Sequence, residues 1–207
     1  MENRIFKIRC SQIGKIMSNA KVKGELSQTC KTYLNEWYAN DNEEIHSKYI
    51  DKGNAVENDL IDFMAEQLDY GMAEKCMESA SNEFMQGSCD VITHDAIVDV
   101  KASYNLGTLH KQVLEGLNKD YELQLQGYMH LYQRPKAVLF FGLMNTPATD
   151  WSEEVVYEDM PSNERWLAYH IDYNPELIKA IEERVMQCRA YLAEHEALLK
   201  SKLGKIN

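Results

Sequence analysis

At 207 residues, with 44% hydrophobic and 27% charged, the chain is long enough for one domain with a full core and is neither disordered nor membrane-like in composition. The net charge of −11 weighs against a nucleic-acid partner only as a total: residues 1–31 hold Arg4, Lys7, Arg9, Lys15, Lys21, Lys23 and Lys31 against Glu2 and Glu25, a net of +5 that leaves −16 elsewhere. No apolar run approaches the ~20 residues of a membrane span, and the polar start Met-Glu-Asn-Arg has no signal-peptide pattern. Cys10, Cys30, Cys76, Cys89 and Cys188 include no C-x-x-C pair, which argues against a zinc or iron–sulfur cluster. Reduced thiols and a cytoplasmic location are therefore expected.

No repeat, low-complexity tract or Pro/Gly-rich linker interrupts residues 1–207, so a single domain is expected. Ser11 is a candidate cap for a short helix through Met17. Leu26 to Tyr38 shows helical spacing after Ser27, with Leu34 and Trp37 as core candidates. Asp51 to Asp69 forms a strongly amphipathic pattern with Val56, Leu60, Ile61, Met64 and Leu68 inward. Strands are expected near 74–78, 84–92 and 96–102, the last two joined by a turn at Thr93-His-Asp95. Helices near 105–116 and 119–133 precede the continuous apolar run Lys136 to Met144, which reads as a buried strand. Strands near 153–158 and 166–172 come next. Asn174-Pro175 then opens a long helix to about Leu203, with Asn as cap and Pro at the first position. The cysteines, Trp151 and Trp166 read as structural. The order implies an α/β (α+β) fold with one central mixed sheet flanked by helices.

The segment from Gly87 to Lys101 concentrates the chemistry. Side chains alternate along 96–102, so Ile97, Asp99 and Lys101 share one face, and Asp99 and Lys101 lie about 6–7 Å apart at Cα. Asp90 is brought near Asp99 when the strands pair across the 93–95 turn. Two facing carboxylates repel unless a cation lies between them. An Asp, eight residues, then Asp-x-Lys is a spacing used by enzymes that hydrolyse phosphodiesters with Mg²⁺; a structural Asp–Lys ion pair is the plainer alternative. Glu57 falls on the apolar stripe of the 51–69 helix, either as a ligand projected toward the sheet or as the end of a capping box, Asn54-Ala-Val-Glu57. Gln124 and Tyr128 form an i, i+4 pair beside Gln126 and the mid-helix Gly127, either a functional face or a polar one. Gly87 admits a close neighbour or marks a bulge. The six histidines contain no H-x-x-x-H pair, and no Walker loop or G-x-G-x-x-G occurs.

Taken in order, Ser11-Gln-Ile-Gly, Lys52-Gly-Asn-Ala-Val-Glu57, Ser88-Cys-Asp90, Asp99-Val-Lys101 and Gln124-Leu-Gln126 resemble the PD-(D/E)XK nuclease superfamily. Within it they are most similar to the lambda-exonuclease or YqaJ-like phage recombination exonucleases. The resemblance implies a restriction-endonuclease-like αβββαβ core with a long C-terminal helix. It implies Mg²⁺, with Mn²⁺ as a substitute, held by Glu57, Asp90, Asp99 and the Val100 carbonyl. Lys101 would position or activate the attacking water, and Gln124 would support Lys101 and that water. Arg4 and Ser11 match residues that bind the terminal 5′-phosphate of DNA. The implied activity is 5′→3′ exonuclease action on double-stranded DNA ends in phage recombination, within a bacterial host cell. A homo-oligomeric ring, often a trimer, and a single-strand annealing partner are also implied.

The pattern departs from the family at Cys89 and Val91 in the Ser-Pro-Asp-Gly motif, at Lys52 in place of Trp, and at Asp99 where Glu is common. None of these removes a liganding oxygen. Two alternatives remain open: a RecB-like or CRISPR-associated nuclease of other polarity or endonuclease action, and a catalytically silent nuclease fold that binds DNA or protein.

Overall fold

The computed structural model describes residues 4–40, 48–148 and 154–203, with side chains of the second stretch described from Asp51 onward. Trp151 lies outside the described residues. In chain order the elements are β1 (Ile8–Arg9), α1 (Ile13–Met17), α2 (Gln28–Ala39), α3 (Lys48–Gln67), β2 (Ala80–Ser81), β3 (Met85–Gly87), β4 (Val91–Ile92) and β5 (Ala96–Ala102). They continue with α4 (Leu106–Glu115), α5 (Lys119–Tyr132), β6 (Lys136–Gly142), β7 (Trp166–Asp172) and α6 (Pro175–Lys202). Ser27 caps α2 by accepting from Cys30 N at 3.0 Å, and Asn174 caps α6 by accepting from Leu177 N at 3.1 Å.

The single expected sheet is instead two. A three-stranded sheet runs β1-β3-β2 and a four-stranded one runs β4-β5-β6-β7. The expected 84–92 strand breaks in the middle: β3 joins β1 and β2, while β4 pairs antiparallel with β5. The physical reason is the Gly87-Ser88-Cys89 step, which interrupts the alternation. The expected 74–78 strand shrinks to one bridge, Lys75–Val91, and the 153–158 strand to the bridge Thr146–Val155. Ser11 does not cap a helix. It lies inside a 3₁₀ turn (Cys10–Gln12) that runs straight into α1, so no extended residue exists at that position to cap.

The larger sheet is covered on both faces. Val98, Val100, Val138 and Phe140 face α3 and bury Leu60, Ile61 and Met64. Ile97, Leu139 and Phe141 face the other way, into a core shared with α5, α1, α2 and α6. Each such fully buried side chain contributes roughly 1.5–3 kcal/mol of apolar transfer. The alternation along β5 and β6 thus assigns α3 to one face and α5 to the other. β5 and β6 are parallel, which requires a crossover, and α4–α5 supply it. Gly127 on α5 lets the 3₁₀ turn pack directly on the helix: a Cβ there would lie 2.7 Å from Ile13 Cδ1 and 2.8 Å from Cys10 Sγ. Helix α6 packs on this core through Ile178, Ile181, Val185 and Cys188.

Candidate active site

The site forms where β4 stops. β4 pairs only Val91 with Val98 and Ile92 with Ile97, so beyond Val98 that edge of β5 has no strand partner. Asp90, the residue before β4, fills the gap: its Oδ2 accepts from Val100 N at 2.7 Å. In a strand the N–H and C=O of one residue leave on the same edge. The Val100 carbonyl therefore faces the same opening as the Asp90 carboxylate.

Asp99 sits one residue earlier on β5, 2% exposed, on the α5 face. Gln124 Nε2 donates to Asp99 Oδ1 at 3.2 Å and to the Tyr128 hydroxyl at 3.1 Å. The Lys101 ammonium lies 2.5 Å from Asp99 Oδ2, yet that buried oxygen takes no aligned hydrogen bond. Lys101 Nζ also sits 5.9 Å from the centre of the Tyr121 ring, a cation–π distance. Glu57 of α3 is paired with the Lys75 ammonium. Since α3 begins at Lys48, Asn54 is well inside the helix and the capping-box alternative for Glu57 does not hold.

The electrostatics follow from this crowding. Burial, then the neighbouring Asp99 charge and more weakly Glu57, push the Asp90 carboxyl up to about 7, against the pull of Lys101 and the Val100 N–H. Burial alone would pull the Lys101 ammonium down, but Asp99 and Asp90 outweigh it and the group is held above its ordinary range. Burial and Asp99 raise the Tyr128 phenol well above its usual range. The unit is a pair of crowded carboxylates with a third nearby, short of positive charge apart from two lysines.

Among the described residues no three Asp, Glu, His or Cys side chains close around one point. The donor set nonetheless fits a hard cation such as Mg²⁺: carboxylate and carbonyl oxygens, a buried Asp99 oxygen without a hydrogen bond, and an Asp90 whose charge the surroundings resist. Glu57, Asp90, Asp99 and the Val100 carbonyl are the oxygens that would hold it.

The polar-face alternative for the glutamines fails, because Gln124 and Gln126 are 8% and 1% exposed. Gln124 reaches Asp99 rather than Lys101. Gln126 is structural, spanning the turn into α6 by donating to Asp172 O and accepting from Asn174 N, both at 2.8 Å. Gly87 faces protein: a Cβ there would lie 2.8 Å from the Tyr128 ring. Lys52 lies within α3, buried, and donates to Tyr104 O at 2.7 Å. Lys75 is the site residue that sequence reading missed. It lies in the expected 74–78 strand, which shrinks to the bridge with Val91, and its pairing with Glu57 of α3 is a contact between elements that no local pattern marks.

A basic groove of about 1150 Å³ lies on the β3 side. Arg4, Lys7, Arg9 and Lys15 line it, with Glu36 as the one acid, and Gln86 of β3 forms part of its wall. Arg9 is in register with Gln86, four residues before Asp90. Arg4 is already engaged: its guanidinium donates to Asn40 Oδ1 at 2.8 Å and Trp37 O at 2.9 Å and lies 4.7 Å from the Trp37 ring centre. Ser11 is exposed on the 3₁₀ turn and is not part of the groove wall.

No protein-family model and no curated protein matches the chain. Solved structures do. A phage-related exonuclease from Haemophilus somnus 129PT is 28% identical with a TM-score of 0.85, over 95% of this chain and 97% of that one. An alkaline exonuclease from Laribacter hongkongensis is 17% identical with a TM-score of 0.70, covering 96% and 94%. The same enzyme in complex with dAMP gives 18% identity and a TM-score of 0.69, covering 94% and 92%. Over nearly its whole length, this chain has the mixed α/β fold of lambda-exonuclease-like exonucleases, and its structural neighbours are phage-related and alkaline exonucleases.

Proposed function

We propose that this protein is a Mg²⁺-dependent deoxyribonuclease that degrades double-stranded DNA ends 5′→3′ in phage recombination. The observation that carries the reading is the seating of Asp90 on Val100 N–H beside the buried Asp99–Lys101 pair. The similarity to a phage-related exonuclease supports it.

A divalent cation held by Glu57, Asp90, Asp99 and the Val100 carbonyl would neutralise charge on the phosphate and make a bound water more acidic. Lys101 acts as a charged donor. Its ammonium, kept protonated by Asp99 and Asp90, stabilises negative charge on the attacked phosphate and orients the water. Gln124 fixes the Asp99 carboxylate through Oδ1, while Oδ2 faces the Lys101 ammonium. Tyr128 holds Gln124 in turn. The groove cations Arg9 and Lys15 hold the DNA backbone, and Arg4 and Ser11 bind the terminal 5′-phosphate. A homo-oligomeric ring and a single-strand annealing protein complete the proposal.

The test is digestion of 5′-phosphorylated linear duplex and of closed circular duplex, with and without Mg²⁺ or Mn²⁺. Mononucleotides should appear from linear DNA only, with metal only, and not from Lys101→Ala. Equal digestion of both topologies would turn the reading to endonuclease action. No release by the wild type with either metal would end the catalytic reading.

A further inference from the structure

Lys75 is a second cation at the site, and nothing in the proposed chemistry uses it. Its root is fixed by the same backbone that carries Asp90. Lys75 bridges Val91, and Cys76 N donates to Asp90 O at 2.7 Å. From there the side chain crosses to α3 and pairs with Glu57 Oε2. The pair is partly solvated, with side chains 39% and 28% exposed. Asp90 also lies within the field of the Lys75 ammonium.

Lys101 differs in every respect. It is two residues from its partner on a rigid strand, and that partner, Asp99, is buried. Lys75 is a compact charge on a flexible four-carbon stem at the rim, free to swing into water at little cost. Its ammonium neutralises one of the carboxylates that would hold the divalent cation.

We propose that Lys75 is a built-in competitor for the divalent cation: its ammonium serves as the counter-ion of Glu57 and is exchanged for the metal on loading. This rests on the reading of Glu57, Asp90 and Asp99 as the cation site. The side chain then tunes metal uptake without taking part in hydrolysis. A purely structural bridge, tying the 70–79 segment to α3, would leave metal affinity unchanged.

Calorimetric titration of Mn²⁺ into the EDTA-stripped full chain separates the two. Lys75→Met should bind Mn²⁺ roughly three- to fivefold more tightly than the wild type, the range an exposed ion pair allows. Lys75→Arg, which keeps the charge, should stay near the wild-type value. Asp99→Asn should lose most of the binding. Unchanged or weaker affinity in a folded Lys75→Met, with wild type binding and Asp99→Asn not, would overturn the role of Lys75 alone. No Mn²⁺ binding by the wild type would overturn the site reading and this inference together. The backbone bridge does not depend on the Lys75 side chain, so the Met variant should fold, and its thermal melt checks this.

Discussion

Asp99 is 2% exposed and stands in the middle of a seven-residue central strand, whereas Arg9 and Lys15 are exposed and stand on elements of two and five residues. One region gathers carboxylates and the other cations, by opposite means. In the carboxylate site the backbone does the gathering: strand pairing brings Asp90 to Val100, and alternation turns Asp99 and Lys101 to one face. Charge repulsion there is tolerated because sheet and helix packing fix the positions. In the groove no single element holds the cations together. They come from β1, α1 and the segment before β1, and water screens them from each other. A buried site should respond to single substitutions steeply and an exposed groove shallowly.

The largest effect is expected at the buried end. Asp99→Asn keeps the shape and the Gln124 contact but removes the charge that holds Lys101 and completes the oxygen donor set. Release of nucleotides from linear duplex should fall at least ~100-fold, in line with the loss of one preorganised electrostatic partner. Loss of less than tenfold would break the contrast, because Asp99 would then behave like a surface charge.

Next comes a pH effect on stability in EDTA. The folded-state pKa of Asp90, about 7, is above the ordinary carboxylate value, so between about pH 4 and pH 7 the native state binds more protons than the unfolded one. Stability is then fully present below about pH 4 and is lost as pH rises through about 7. Asp90→Asn should flatten that decline in denaturant unfolding curves taken from pH 4.5 to 8. The same slope in variant and wild type would show that Asp90 is not strained by its neighbours.

The two regions also differ in how far the sequence reveals them. Asp90, Asp99 and Lys101 were drawn together because a hairpin turn and a two-residue period fix the register; the structure keeps that register at Val91–Val98 and Ile92–Ile97 and seats the Asp90 carboxylate on Val100 N–H. Glu57 was placed on the α3 stripe by its spacing, though the start of α3 was set three residues too late for the capping box to be dismissed. The division into two sheets was not legible, because β1, β2 and β4 have two residues each and show no period. Ser11 misled because a 3₁₀ turn leading into a helix leaves no capping position in the chain pattern. Lys75 and the meeting of Arg9 with Lys15 depend on contacts between elements, which local spacing does not encode.

The smallest effect belongs to the groove. Arg4 is a poor probe, since removing it also strips the Trp37 carbonyl and ring of their partner at the end of α2. Arg9 and Lys15 are exposed and line the groove wall, so their loss should remove charge with little structural cost. If they lie along a phosphate path, each change to Ala should weaken binding to linear duplex a few-fold and reduce the salt dependence of binding by about one unit of slope. The rate at saturating DNA should stay near that of the wild type, because neither side chain belongs to the carboxylate site. An unchanged salt slope in the double variant would move the DNA path off this groove and leave the carboxylate site without its basic neighbour. A collapse of the saturated rate would instead mean that the two regions act as one unit, contrary to the separation argued from their construction.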